Sequence, residues 1–181
     1  MGEKKQRGMT LVHTGNGKGK TTSSLGVALR AAGHDFNVKI FQFIKSPERT
    51  YGEQIALKKL GIEMLQLGRG FTWTKTPAEH REALANGWPI AKEAIMSGEF
   101  DVIILDEINN ALAIETFPID DVLPLEDVLE VIKNRPKHVH LLLTGRDAHP
   151  KIKDLADLVS VVEAEKHYYD EGIPAIKGIE Y

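Results

Sequence analysis

Two stretches of the chain carry residue types that could do chemistry. The first is Thr14-Gly15-Asn16-Gly17-Lys18-Gly19-Lys20-Thr21-Thr22. Small residues let successive backbone N–H groups turn inward around an anion. Lys20 brings a mobile cation to phosphate oxygens, and the Thr21 hydroxyl can hold Mg²⁺. An apolar run, residues 9–12, leads in and a helical pattern leads out, so the partial positive charge of a helix start points at the same place. Strand, glycine-rich turn, Gly-Lys-Thr and helix make the layout of a phosphate-binding P-loop rather than a Gly/Lys-rich surface turn. The second stretch is Asp106-Glu107, at the end of the apolar run 100–105. A strand ending in an acidic pair is the Walker-B arrangement, in which one carboxylate reaches the metal shell of a bound nucleotide and the other orients it or stands behind. Alone, the pair also reads as a helix N-cap followed by a first-turn acid. A P-loop in the same chain favours the metal-side reading.

The loop departs from the usual G-x-x-x-x-G-K-[ST] spacing. Counting back five from Gly19 reaches Thr14, and glycines alternate at 15, 17 and 19, with Lys18 as an added charge. This is a P-loop with a modified first turn.

The elements that must position these residues are legible as alternating strands and helices. Residues 10–13 read as a short buried strand. Residues 23–32 read as a helix with Leu25, Ala28, Leu29 and Ala32 on its apolar face, ended by Gly33, with Arg30 in its last turn. Residues 37–44 are a strand, 45–51 a loop, 52–60 a short helix and 62–67 a strand. The following loop, 68–74, carries Phe71 and Trp73 beside glycines. Those aromatics either wall a flat ligand at the carboxyl ends of the strands or close the edge of the core. Residues 77–96 are helical, with Leu84, Trp88, Ala91 and Ile95 on one face, and a kink or break is expected at Asn86-Gly87 and Pro89. The run 100–105 has the pattern of a central parallel strand covered on both faces. A helix over 124–134 and a strand over 139–143 follow. That strand ends in Thr144-Gly145-Arg146, which directs Arg146 toward the edge of the sheet where the P-loop lies. A helix from His149-Pro150 to about Ala156 and a last strand over 158–163 complete the pattern, and the remaining tail has no clear periodicity. His138 and His140 share a strand face, but a structural zinc site needs four ligands and no third is evident nearby. The expected architecture is α/β, a P-loop NTPase-like three-layer fold. Its mostly parallel sheet of five or six strands has helices on both faces and right-handed crossovers.

The 181 residues are expected to form one domain, 1–181, with 1–8 as a flexible lead-in. A net charge of −3 provides no basic field for nucleic acid. There is no cysteine, hence no disulfide framework and no thiolate chemistry. No apolar run approaches the ~20 residues of a membrane span, and residues 1–8 lack the apolar core of a secretory signal, so a cytoplasmic location is expected.

The loop 14–22 closely resembles the modified P-loop of the ATP:corrinoid adenosyltransferases, the P-loop type and not the helical-bundle types. Gln42-Phe43-Ile44-Lys45, Gly70-Phe71-Thr72-Trp73, Leu105-Asp106-Glu107, Thr144-Gly145-Arg146, Lys166-His167 with Gly172, and Gly178-Ile179-Glu180-Tyr181 resemble further blocks of that family, in order, from about residue 10 to 181. The resemblance implies transfer of the 5′-deoxyadenosyl group of ATP to the cobalt of a reduced cob(I)alamin-type corrinoid, in adenosylcobalamin biosynthesis or salvage. Cobalt attacks C5′ and triphosphate leaves intact. It implies that the loop (Gly15, Asn16, Gly17, Lys18, Gly19, Lys20, Thr21, Thr22) binds ATP, that Lys20 and Glu107 are catalytic, and that Thr21, Glu107 and Asp106 stand on the Mg²⁺ side. Phe71 and Trp73 then belong to the corrinoid pocket, where they keep the lower axial position of cobalt free. Arg146 and Arg30 are weaker contacts to ATP or corrin substituents. The resemblance also suggests a homodimer. A reductase or other electron-donor protein is expected, since the chain has neither cysteine nor a flavin motif. The segment ahead of the loop is short, whereas longer members carry an N-terminal segment that helps cover the site, which leaves the mode of closure open.

Two other functions fit parts of the pattern. A small-molecule P-loop phosphotransferase or ATPase would want an acceptor base or an arginine-rich lid, and no such lid is visible. A non-catalytic binding module is disfavoured by Lys20, Thr21, Asp106 and Glu107 all being in place.

Overall fold

The computed structural model describes residues 7–48, 50–70 and 75–181. Its frame follows from strands that are apolar on both sides. In β4 (Val102–Asp106) every residue is buried. Ile103 and Leu105 enter one core and Val102 and Ile104 the other, as the alternation of a pleated strand requires. With β1 (Thr10–Thr14), β2 (Val38–Gln42), β3 (Glu63–Gln66), β5 (His140–Thr144) and β6 (Leu158–Val161) it forms one parallel sheet in the order β3-β2-β4-β5-β1-β6. On one face α1 (Lys20–Ala32) and α2 (Gly52–Lys59) bring Ala28, Ala31 and Leu57 onto Val38, Ile40, Ile104 and Leu142. On the other face α3 (Pro77–Ser97), α5 (Leu125–Asn134) and α6 (Pro150–Leu155) bring Trp88, Ile95, Val128, Ile132 and Ile152 onto Phe41, Ile103, Leu105 and Leu141. The three-layer α/β architecture is as expected, with six strands.

The topology decides what meets at the carboxyl edge. The P-loop strand β1 and the acidic strand β4 are not neighbours, because β5 lies between them. The end of β5, Thr144, therefore reaches both stretches. A short helix missing from the sequence reading, α4 (Ile108–Leu112), starts directly after Glu107.

Four local expectations change. Helix α1 starts at Lys20, three residues early, which puts Lys20 and Thr21 in its first turn. Its buried face is Ser24, Ala28 and Ala31, while Leu29 is 56% exposed. Small residues against the sheet let the helix, and with it the loop, sit close to the strand ends. Helix α3 runs unbroken through Asn86, Gly87 and Pro89. Pro89 and Ala85, whose carbonyl loses its partner four residues on, both face solvent. Gly87 is buried where a Cβ would lie 3.0 Å from that of Leu67, so each residue that looked like a breaker has a place. A capping box between Thr76 and Glu79 starts this helix, and Gly98 ends it in the left-handed conformation. Finally, of the lead-in, Gly8 is fastened rather than loose: its N–H donates to the Lys137 carbonyl at 2.7 Å, and Arg7 pairs with Asp157. Among the described residues no helix is long and apolar enough to cross a membrane.

Candidate active site

The loop's modified first turn has a structural cause. Thr14, where the usual pattern has glycine, ends β1, and its hydroxyl accepts the Ala148 N–H at 3.2 Å, tying the loop to the turn after β5. The chain leaving β6 packs directly on the loop: the Gly17 N–H donates to the Val162 carbonyl at 2.7 Å. A Cβ on Gly17 would lie 2.6 Å from the Glu163 backbone. Gly19 has open space around it but stands at φ +123°, a conformation other residues rarely adopt. Gly17 is thus required by close approach and Gly19 by its dihedral. Below the loop, buried His13 places Nδ1 2.9 Å from Ser23 Oγ and 3.1 Å from Ser24 Oγ. Both hydroxyls lie near the Lys20 carbonyl, which braces the first turn of α1. The Lys20 ammonium curls back to donate to the Gly17 carbonyl at 2.6 Å.

Asp106 is the node of the site. It is 1% exposed. Its Oδ1 accepts from Thr21 Oγ1 at 2.8 Å and from Thr144 Oγ1 at 2.7 Å, and its Oδ2 accepts from Gln42 Nε2 at 3.0 Å. Three strands and the first turn of α1 are thereby locked to one carboxylate. Gln42 and Thr144 belong to blocks singled out in the sequence, yet no role could be read for them there. The available signal was that each ends an apolar strand with a polar residue, as Asp106 does.

Glu107 occupies the N-cap position of α4 with a left-handed backbone, φ 61°, and its side chain makes no cap bond. A non-glycine residue held there is a local strain of the kind that collects at functional sites. The bond from its N–H to Thr144 Oγ1, 2.9 Å, fixes it, and the carboxylate is left for the cleft, which it lines. Burial and the neighbouring Asp106 push Glu107 up to about 7, against the opposite pull of Lys45, Lys20 and Arg146. Burial, with Arg146 close by, holds Lys20 below its ordinary pKa, while Glu107 and Asp106 act the other way. Lys45 was not among the expected site residues. Burial works to lower it, but Asp106, Glu53 and Glu107 outweigh burial and raise it. Its ammonium lies 2.7 Å from Glu53 Oε1 and over the Tyr51 ring.

These groups line one open cleft of about 920 Å³, the size of a nucleotide site. Asn16 to Thr22 form its floor, Lys45 and Glu53 one side, Glu107, Asn110 and Arg146 another. The Arg146 N–H donates to Asn110 Oδ1 at 2.9 Å, which sets the turn after β5, and its guanidinium is exposed. The aperiodic tail also returns to the cleft: Gly178 to Tyr181 line it, and Glu180 Oε2 lies 2.7 Å from the Lys18 ammonium. The loop residues, Asp106, Glu107 and Arg146 are therefore brought together. Arg30 is not: it is exposed in the last turn of α1 and does not line the cleft. Phe71 and Trp73 lie outside the described residues. His138 and His140 have protein partners, the Gly98 carbonyl and the Met9 N–H. Among the described residues no group of three or more His, Asp or Glu side chains could hold a metal by itself. A cation at Thr21, Asp106 and Glu107 would need oxygens from a bound phosphate as well, which is how Mg²⁺ is usually held.

Comparison with known proteins agrees with this geometry. Residues 6–181 match the family model described as ATP:corrinoid adenosyltransferase BtuR/CobO/CobP. The chain is 40% identical over 177 residues to the corrinoid adenosyltransferase CobA of Salmonella typhimurium (97% of this chain, 87% of that one). It is 38% identical over 177 residues to the corrinoid adenosyltransferase of Escherichia coli K12, with the same coverage. It is 36% identical over 179 residues to that of Pseudomonas aeruginosa (97% and 85%). Among solved structures, the KaiC-like protein PH0186 of Pyrococcus horikoshii OT3 shares the fold, with a TM-score of 0.54 at 18% identity over 87% of this chain and 72% of that one.

Proposed function

The chain belongs to the ATP:corrinoid adenosyltransferase family, and we propose that the cleft above is where it transfers the adenosyl group of ATP to a corrinoid. The observation that carries the assignment is the Lys20–Thr21 turn joined through one hydroxyl to buried Asp106, with Glu107 beside it. In the proposed reaction the cobalt of a cob(I) corrinoid forms a bond to C5′, and the C5′–O bond breaks with its electron pair going to triphosphate. No phosphorus is attacked. The protein must hold the reactants in line and stabilise charge on the departing triphosphate. The amides of residues 18–22, in the part of the loop that lines the cleft, and the Lys20 ammonium serve this, with Arg146 adding charge at the rim, while the Gly17 N–H is already given to the Val162 carbonyl. Thr21, Asp106 and Glu107 are an oxygen donor set that suits Mg²⁺, which when bound supplies further positive charge against the phosphates. Asp106 keeps the Thr21 hydroxyl aimed, and Glu107 contributes the carboxylate that lines the cleft. Phe71 and Trp73 are assigned to the corrinoid side on family likeness. The same likeness supports a homodimer. A separate reductase or electron-donor protein is proposed because the chain has no cysteine.

Two expected results test parts of this reading. Phe71→Ala slows cob(II) reduction and adenosylation while leaving ATP affinity within about twofold; a loss confined to ATP affinity removes Phe71 from the corrinoid side. The second concerns pH. Glu107, at about 7 against an ordinary 4.5, must be charged to serve a cation, so taking up Mg²⁺·ATP releases a proton. Apparent affinity for Mg²⁺·ATP therefore rises between about pH 6 and about pH 8. In the nucleotide-free protein the sign for stability is the reverse: the raised carboxyl contributes stability below its unfolded pKa, and this is lost as pH rises through about 7. Calorimetry across this range on wild type and Glu107→Gln checks both, and an equal pH dependence in the variant assigns the effect elsewhere.

A further inference from the structure

We propose that Lys18, the extra cation of the modified loop, acts as the anchor of the C-terminal segment rather than as a phosphate ligand, and that residues 176–181, held through Glu180, form a wall of the nucleotide cleft. The inference rests on the reading of the cleft as an ATP site.

Lys20 and Lys18 are only two residues apart, yet they point to different partners. Lys20 turns onto the Gly17 carbonyl and acts on Glu107 and Asp106, as do Lys45 and, for Glu107, Arg146. Lys18 reaches outward to Glu180 at 2.7 Å, in a partly shielded pair whose side chains are 34% and 23% exposed. The other oxygen of Glu180 accepts the Tyr168 hydroxyl, so the carboxylate is held from both sides. Burial works to raise the Glu180 pKa, but the hydrogen bonds from Lys18 and Tyr168, with the charge of Lys18, outweigh it and lower it. The segment is folded upon itself as well. Glu180 N–H donates to the Ile176 carbonyl at 2.7 Å and Gly178 N–H to the Tyr181 carbonyl at 2.8 Å. At its far side the Tyr181 backbone lies 3.7 Å from where a Gly52 Cβ would be, at the start of α2, next to Glu53, which holds Lys45. The segment thus spans the cleft from the P-loop to α2. A carboxylate placed at the rim of a triphosphate site would repel the ligand unless neutralised; Lys18 neutralises it, and the Tyr168 hydroxyl holds its other oxygen by a hydrogen bond. Glu180 is a positioning residue: it acts through the wall it fixes.

The test uses two readouts on the full chain, hydrogen exchange of the nucleotide-free protein over residues 166–181 and calorimetric binding of Mg²⁺·ATP. The variants are Lys18→Ala, Glu180→Gln, their combination and Tyr168→Phe. The expected result is faster exchange over 173–181 in each single variant, with Mg²⁺·ATP weakened by about threefold to tenfold in Lys18→Ala and Glu180→Gln and the double variant no worse than either. Tighter Mg²⁺·ATP binding in Glu180→Gln alongside weaker binding in Lys18→Ala would make Lys18 a phosphate ligand and overturn the proposal. Unchanged exchange would do the same. Faster exchange in a protein that binds no ATP even as wild type upholds the anchor and removes the ATP reading instead.

Discussion

Lys20→Ala lowers kcat/KM by roughly two to three orders of magnitude, about 3–4 kcal/mol of transition-state stabilisation, with little change in thermal stability. The expectation follows from where the ammonium sits. It is anchored on the Gly17 carbonyl at 2.6 Å, in the first turn of α1, so its charge is already placed when negative charge develops on the leaving phosphate chain. Its folded-state environment is not one that depends on it. Burial and Arg146 disfavour the ammonium, Glu107 and Asp106 favour it, and among the described residues the acceptor it leaves behind is the carbonyl of Gly17, a residue that lines the open cleft. Steady-state kinetics with unfolding measured on the same preparation check this. Turnover within threefold of wild type would mean that the loop does not carry the phosphate chemistry.

Asp106 gives the second large effect, and here two substitutions separate charge from architecture. Asp106→Ala removes the acceptor for Thr21, Thr144 and Gln42 at a position 1% exposed. Buried donors left unpaired cost about 1–3 kcal/mol each, so this variant is destabilised by several kcal/mol and is inactive. Asp106→Asn keeps the shape. Its oxygen still accepts from the two threonine hydroxyls, and its new N–H group meets Gln42. The Gln42 amide can turn over to accept it, because Gln42 Oε1 has no partner among the described residues. Asp106→Asn is therefore expected to unfold within about 1 kcal/mol of wild type while losing on the order of a hundredfold in Mg²⁺-dependent turnover, since a neutral amide cannot draw a cation. Chemical unfolding and Mg²⁺ titrations on both variants test it. Equal stability losses would show that Gln42 does not rearrange, and full activity of Asp106→Asn would remove Asp106 from the metal side.

What was legible in the sequence was what period and punctuation encode. The apolar strands, the Gly-Lys-Thr turn before a helix and the acidic end of β4 each state their place locally, and the α/β layering follows from their order. The meeting of those pieces was not legible. That β5 lies between β1 and β4, and β2 on the other side of β4, is a matter of strand order, which no local pattern carries, and the roles of Thr144 and Gln42 follow from it. Pro89 and Gly87 pointed to a kink or break because propensity is blind to face. One turns out to look into solvent and the other into a tight contact with Leu67. Leu29 was counted into a buried face because it is apolar and correctly spaced, but the helix rests on Ala28 and Ala31 instead. The C-terminal return to the cleft had no periodic signal, because a segment held by side-chain contacts such as Lys18–Glu180 and Tyr168–Glu180 and by its own turns needs no period. Family likeness supplied it only as a matching block, without a reason, and Lys18–Glu180 supplies the reason.

The most direct test of the central claim is an anaerobic reaction of the protein with ATP, Mg²⁺ and chemically reduced cob(I)alamin, with the corrin spectrum and the phosphate product followed together. The predicted result is a light-sensitive alkylcobalamin formed with one equivalent of intact triphosphate. An unchanged corrin spectrum, with ADP released when other small molecules are added, would contradict it and make the cleft that of a phosphotransferase.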